Sequence, residues 1–500
     1  MDVRSVKKIL LSGLFLILIA GCAREIPAWY TYIPHENSPV VSISLRFDTG
    51  SAIEPEDKKG ISRLTMMSVL EHSTKQTPRS EILKEINERA ISEQIIVDTD
   101  VSTFLFRLHK DHVDAWLSLL EQRFRFPAFA EHEVGLLIRQ EKERLENKIL
   151  YRSEDFSKDV LVEKLFSGHP YAGLPGGYPY TLKKLSGEDL KTWWERSFSV
   201  NNMQIAVSGP INPDQQDRLI EILSGFHPRT HPPVPELPRP VLPDTIHYIL
   251  IDNGSDVSAV SLGWLLPFNR SDREFYPFWI FSSHLGEHRT FYGHLMKELR
   301  VKRGFNYGDY AYGEHFVQNH YSVFPQPGHP RMYQYFSIWI RPLKNQNVPF
   351  ALRLVLNDLK TFQEKGLDSL AYCQTKEFLK SYINLYARNQ ADYLSFSQDY
   401  AYYGLDDFPA SAIQWLDSTD YRTGREMIKN AIDLHRMVVV VVGGDTDSLQ
   451  KILTGNLPAS PLYTSRPAVD VLKRDQEIEA FLLPPGVIER YGTLDFLQKR

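Results

Sequence analysis

Three stretches of this chain bring together side chains that could do chemistry. His284-Leu285-Gly286-Glu287-His288 spells H-x-x-E-H. On an unbroken helix, histidines four apart share one face and can both hold zinc, while the Glu activates a metal-bound water. Gly286 works against that reading, because a mid-helix Gly costs about 1 kcal/mol relative to Ala and often marks a helix end. The second stretch is Glu71-His72, with Ser68 four positions before the histidine. Thr74-Lys75 follow directly, so the pair is expected at a solvated helix end, where a histidine suits the helix dipole. The third is Leu299-Arg300-Val301-Lys302-Arg303-Gly304-Phe305-Asn306-Tyr307. It reads as a basic helix end closed by Gly304, with a strand from Tyr307, and with Arg303 as a surface charge. Weaker signals are Gly173-Leu174-Pro175-Gly176-Gly177, which lacks the Lys-Ser/Thr of a phosphate loop, and Cys373, expected as a buried small hydrophobe. The aromatic run Phe275 to Phe281 is expected in the core.

The composition limits what can position these groups. At 500 residues the chain is too long for one core. Hydrophobic residues at 42% and charged residues at 24% exclude a disordered or collagen-like chain. A net charge of −5 gives no basic surplus for nucleic acid. With only Cys22 and Cys373, neither a disulfide framework nor a thiolate zinc cluster is available. Any metal must be held by histidines and carboxylates.

Residues 1–21 read as a signal segment rather than as part of the fold. Arg4, Lys7 and Lys8 precede the apolar run Ile9 to Ala20, which is too short to span a bilayer comfortably. The run closes on Leu18-Ile19-Ala20-Gly21-Cys22, which resembles a bacterial lipobox and implies a lipidated Cys22 as the mature N-terminus. Two or three acyl chains would anchor the protein stably. Ala23 after the cysteine, by the same resemblance, favours the outer membrane with the body facing the periplasm. An ordinary signal peptide with an incidental cysteine is the alternative.

The remainder repeats itself. Ser42-Ile43-Ser44-Leu45-Arg46 and Ala259-Val260-Ser261-Leu262-Gly263 both read as strands leading through a turn into helices. Met203 to Gly209 and Met437 to Gly443 are both buried strands stopped by Gly and followed by an apolar helix. Between the halves, His227 to Asp244 holds prolines at 228, 232, 233, 235, 238, 240 and 243, which makes a stiff extended linker. The expected fold is α+β: two homologous domains of helices on antiparallel-rich sheets, 22–226 and 247–456, facing a cleft. The linker is 227–246, and a tail, 457–500, carries a short strand and turn at Val469 to Glu477.

At this point a family likeness emerges. Phe47-Asp48-Thr49-Gly50-Ser51-Ala52-Ile53-Glu54-Pro55, Lys59-Gly60-Ile61, Gly168-His169-Pro170-Tyr171, Asn201-Asn202-Met203 and the Leu299 to Tyr307 stretch resemble, in order, the insulinase/pitrilysin-type (inverzincin) zinc metallopeptidases. The resemblance implies an H-x-x-E-H starting three positions after Gly60, with a third ligand, a Glu, about 75 residues later. Those positions hold Arg63, Met66 and Met67. Displaced sites would be Glu71-His72 with Glu146, or His284, Glu287 and His288 with Glu364, although the family has a Leu-Gly-Gly turn at the latter place. The resemblance also assigns Arg300 and Tyr307 to holding the substrate backbone from the second domain, roles that their N–H and O–H donors suit.

The expected function is a lipoprotein subunit without its own zinc, helping a zinc-bearing homologue to bind and cleave peptides as a heterodimer in the periplasm. No cofactor is expected on this chain, no nucleic acid is a partner, and the metal resides in the homologue. The alternatives are an active zinc endopeptidase using His284, Glu287 and His288, and a non-enzymatic peptide-binding or envelope scaffold.

Overall fold

In the computed structural model, the described residues are 26–35, 37–174, 176–227, 236–287, 293–317, 325–386, 389–405, 407 and 409–498. Residues 1–21, Cys22 and His288 lie outside them. The first half builds strands β1 (Tyr30–Ile33), β2 (Val40–Phe47), β3 (Ser92–Val97), β4 (Ser102–His109) and β5 (Met203–Ser208), in the sheet order β1-β5-β2-β4-β3. The second half builds β6 (Ile246–Asp252), β7 (Val257–Leu266), β8 (Asp309–Tyr312), β9 (Gln334–Lys344), β10 (Val438–Gly443) and β11 (Gly486–Gly492). Their order is β11-β6-β10-β7-β9-β8. Dropping β11 leaves the first order repeated, with the same single parallel pair, β1/β5 and β6/β10. The repeat in the sequence is therefore a repeat in topology.

Alternation along β2 explains how the halves join. Val41, Ile43, Leu45 and Phe47 enter the core of the first half, beneath its own helices. Ser42, Ser44 and Arg46 point the other way and are buried as well, because the helix Gln390–Tyr402 of the second half lies on that face. Gln398 Oε1 accepts from Ser44 Oγ at 2.5 Å, and the Arg46 guanidinium pairs with Asp399. The reciprocal contact is apolar. Phe156, Val160 and Leu161 of the helix Ser153–Leu165, from the first half, pack on Val438, Val440 and Val442 of β10. Covered on both sides, β10 reads as an unbroken valine run rather than an alternating strand. Each half thus lends a helix to the other's sheet.

The tail differs from its expectation. Val469–Glu479 is a helix, burying Val471, Asp475 and Ile478 at helical spacing, where the short apolar stretch suggests a strand and turn. β11 then joins the second sheet beside β6, in parallel. Cys373 also departs from the reading: it is exposed, one position round the helix Ser369–Tyr382 from buried Tyr372. The run Phe275 to Phe281 is buried throughout.

Candidate functional site

The helix Ile61–Glu71 occupies the place to which the resemblance assigns a metal. Its start is fixed by buried Glu54, whose two carboxylate oxygens accept from Gly60 N and Ser62 N, each at 2.8 Å. Burial pushes Glu54 up to about 7 despite those bonds. Gly60 has φ +96°, a left-handed conformation that side chains rarely adopt. Gly50 passes so close to the β3–β4 turn that a Cβ would lie 2.2 Å from Thr99 O. The residues that carry the family likeness here are the ones that set this helix in position.

On that helix Arg63 Nε donates to Glu141 Oε2 at 2.8 Å, and Arg144 Nε donates to the same oxygen at 2.9 Å. Glu141 belongs to the helix Glu131–Tyr151. Burial favours its neutral form, but the two guanidiniums outweigh it and hold the carboxyl below its ordinary value. Met66 is fully buried and Met67 partly so. Zinc does not fit this set. Arg63 has no lone pair to offer, and methionine is not among zinc's usual protein ligands. A fixed cation on the protein faces the carboxylate instead.

Among the described residues the displaced candidates are not brought together as ligands either. His72 closes the helix and is buried, so its pKa is lowered and it stays neutral, contrary to a solvated cation at the dipole. Glu71 is exposed and Glu146 pairs with Lys142 at 3.5 Å. The helix carrying His284 is Phe275–Leu285 and stops at Gly286, so the H-x-x-E-H spacing does not translate into one helical face. Glu287 turns back into the core, accepting from Trp279 Nε1 and Ser282 Oγ, each at 2.9 Å. Burial pushes it up to about 8. Burial, with His294 adding to it, lowers His284 to about 4. Glu364 is exposed beside Lys360.

Arg300 and Tyr307 do come together. Arg300 lies on a π-turn, Met296–Val301, a rare helical form often found at functional sites. Its Nη1 donates to Tyr307 O at 2.8 Å, and its guanidinium carbon lies 5.8 Å from the centre of the Tyr307 ring. That ring is 77% exposed. Arg303, expected at the surface, is wholly buried. It donates to Asp475 Oδ1 from Nε (2.9 Å) and Nη2 (2.5 Å), and to Glu298 O from Nη1 (2.6 Å). Arg474 also grips Glu298, at 2.8 Å. Burial works against the Glu298 charge, but Lys302, Arg474 and Arg303 hold its pKa down to about 2. The tail helix is therefore bolted to the turn that presents Arg300, which no local pattern in Val301 to Gly304 reveals.

A fourth cluster has no counterpart in the sequence reading. The β3–β4 turn, Asp98-Thr99-Asp100, projects into the second half. Asp98 accepts from Arg331 Nε at 2.7 Å and contacts His329 Nδ1 at 2.6 Å and His315 Nε2 at 3.3 Å. Asp98, His315 and His329 are the one group among the described residues whose ligand atoms converge as a metal site requires. Arg331 Nη2, however, lies 3.0 Å from His315 Nε2, which puts a guanidinium in the place of a cation. Burial resists the Asp98 charge, yet Arg331 holds its pKa well below the ordinary value. Burial, reinforced by Arg331, lowers His315 to about 4. Beside this clasp, Asp100 Oδ2 accepts from Tyr402 OH (2.7 Å) and Met332 N (2.9 Å), and Tyr171 OH donates to it as well. Between the halves lies a cavity of about 970 Å³, bounded in part by the linker residues Glu236, Leu237, Arg239, Pro240 and Leu242.

A twice-repeated fold whose expected metal positions hold Arg63, Met66 and Met67 points to a class, and comparison with known proteins agrees. The model for "Insulinase (Peptidase family M16)" matches residues 30–172, and that for "Peptidase M16 inactive domain" matches 184–376. The chain belongs to the insulinase-type peptidase family. It is 21% identical over 410 residues to "Non-peptidase homolog YmxG" of Helicobacter pylori, covering 81% of this chain and 89% of that protein. Among solved structures it resembles the peptidase M16 inactive domain protein from Pseudomonas fluorescens, with TM-score 0.72 and 17% identity, over 83% of this chain and 95% of that one. It also resembles a protease from Helicobacter pylori (TM-score 0.64, 15% identity, 83% and 96% covered). A third likeness is to a chain of complex III2 from Candida albicans (0.65, 13%, 90% and 97%).

Proposed function

We propose that this protein is a non-catalytic, zinc-less subunit that pairs with a zinc-bearing homologue and helps it bind and cleave peptides. The observation that carries this reading is the Arg63–Glu141–Arg144 cluster at the metal position, on a chain that still presents Arg300 with Tyr307 at an exposed surface. A guanidinium against Glu141 keeps the helix pair closed without metal, so the fold survives while hydrolysis is lost. Arg300 and Tyr307 bring N–H and O–H donors of the kind that hold a peptide carbonyl and stabilise a developing oxyanion. The partner supplies the metal and the attacking water.

The site of action is the cell envelope, with Cys22 lipidated and the body facing the periplasm from the outer membrane. The ground is the short apolar run closing on Leu18-Ile19-Ala20-Gly21-Cys22. Replacing Cys22 by Ser should release the protein from the membrane or leave an uncleaved precursor. Cleavage elsewhere with no acyl mass refutes the anchor.

The pairing itself is tested by co-expression with an H-x-x-E-H-bearing homologue from the same genome. Sedimentation should give a one-to-one complex that cleaves a peptide neither chain cleaves alone. If the homologue is equally active by itself and the two never associate, the subunit reading fails.

A further inference from the structure

One side chain beneath the Arg300–Tyr307 pair is out of place in a core. Asp309 opens β8 opposite Ile340, on the side of the strand that Ala311 turns into the apolar core of the second half. It is 1% exposed. Its Oδ1 accepts from Asn306 Nδ2 at 2.6 Å, and its Oδ2 is buried with no partner among the described residues. Asn306 Oδ1, and Arg341 Nε on the neighbouring β9, are buried without partners too. Burial pushes Asp309 up to about 8, against the Asn306 N–H and the Arg341 and Arg300 guanidiniums. An apolar side chain would fill this place without leaving polar atoms unsatisfied. Such exceptions concentrate where a structure serves something other than stability. The one bond that Asp309 Oδ1 makes falls at a telling point of the chain. As far as Phe305 the loop is tied to the π-turn: Gly304 N donates to Arg300 O at 2.8 Å and Phe305 N to Leu299 O at 3.1 Å. The Phe305 ring also packs with Phe350 and Tyr463. From Asn306 to Gly308 the links to β8 and β9 are the Asn306–Asp309 bond at 2.6 Å, Arg341 N to Gly308 O at 3.3 Å, and Asn306 Nδ2 to Arg341 O at 3.5 Å. The last two are near the limit of a hydrogen bond, so Asp309 holds the span most firmly. Tyr307 sits in the middle of that span, and its carbonyl receives Arg300 Nη1.

We infer that Asp309 is a positioning residue for the Arg300–Tyr307 pair, fixing through Asn306 the span that presents both donors to a substrate carbonyl. The inference rests on the reading of that pair as a substrate-holding surface. Its local part, the hold on residues 306–308, stands on the hydrogen bonds alone. A carboxyl that keeps its proton at neutral pH also does not draw the Arg300 guanidinium inward, off Tyr307 O.

Two variants separate positioning from bulk stability. Asp309→Asn keeps an acceptor for Asn306 Nδ2, whereas Asp309→Leu has a similar size and none. In the full-length chain alone, amide exchange of residues 306–308 should quicken at least about tenfold in Asp309→Leu and stay near the parent in Asp309→Asn. In the reconstituted pair, Asp309→Leu should lower kcat about 10- to 100-fold with KM little changed, as misplacing groups that act on the transition state does. Asp309→Asn should stay within about threefold of the parent. In a chain already carrying Arg300→Ala and Tyr307→Phe, Asp309→Leu should cost less than about twofold more, because it acts through those two side chains. Asn306→Ala removes the other end of the bond at a partly buried position and should loosen and slow in the same way, so the test survives if the Leu variant does not fold. Unchanged exchange in Asp309→Leu and Asn306→Ala, full activity of their pairs, or an undiminished loss in the Arg300→Ala, Tyr307→Phe background would each overturn the inference. A pair that is inactive with the parent chain counts against the subunit reading instead, and the exchange result then decides the hold on residues 306–308 by itself.

Discussion

Replacing Arg303 by Ala tests whether the tail helix is structural or decorative. Its side chain is 0% exposed, and its partners Asp475 and Glu298 are 3% and 5% exposed. Without Arg303, Glu298 keeps Lys302 and Arg474, so most of its compensation survives. Among the described residues Asp475 then keeps the Tyr463 hydroxyl alone, a buried carboxylate with no cation paired to it. Breaking a buried pair from one side costs about 3–5 kcal/mol, much more than the pair is worth against an apolar replacement. Urea unfolding should show a loss of that size, and limited proteolysis should cut first near the helix Val469–Glu479. Asp475→Asn in the Arg303→Ala background should recover part of the loss, with a coupling of about 1–3 kcal/mol. A loss below about 1 kcal/mol, or a double variant no better than Arg303→Ala, would refute the argument.

Glu287→Gln tests the core role of the H-x-x-E-H glutamate. Glu287 holds its proton to about 8 in the folded protein against an ordinary value of 4.5, so rising pH through that window destabilises the parent and not the variant. The variant should match the parent near the ordinary value and exceed it by more than about 1 kcal/mol in mild alkali, measured by urea unfolding. Asp98→Asn should cost about 3–5 kcal/mol at neutral pH by breaking the clasp with Arg331. Since the Asp98 pKa is depressed, that difference should be full above the ordinary value of 3.8 and fade only as pH falls through the folded value, as acid denaturation of the two proteins would report. Elemental analysis of the purified chain should find no stoichiometric zinc, and His284→Ala should leave the metal content unchanged; about one zinc per chain, lost in that variant, would contradict the assignment.

What the sequence reveals follows from the range of each interaction. β2 and β7 are legible because alternation is local, and the family likeness is legible because its pieces position the first helix. The Arg63–Glu141 pair joins residues of two different helices, so only the loss of ligands can be read, not what replaces them. The Asp98 clasp joins a turn to His315, His329 and Arg331, more than two hundred positions on, and no spacing rule connects them. Arg303 is misjudged because a basic helix end looks solvent-facing until a distant tail helix covers it. Gly286, by contrast, is a local signal strong enough to stop the helix through His284.

The most direct measurement of the central claim is the rate of peptide cleavage by the reconstituted pair when this chain carries Arg300→Ala or Tyr307→Phe. Arg300→Ala should lower kcat/KM by about 100- to 1,000-fold, the usual effect of losing one donor aimed at a developing oxyanion, while the pair still assembles. Tyr307→Phe, which removes only a hydroxyl, should act in the same direction by less. Cleavage untouched by both substitutions would contradict a shared site.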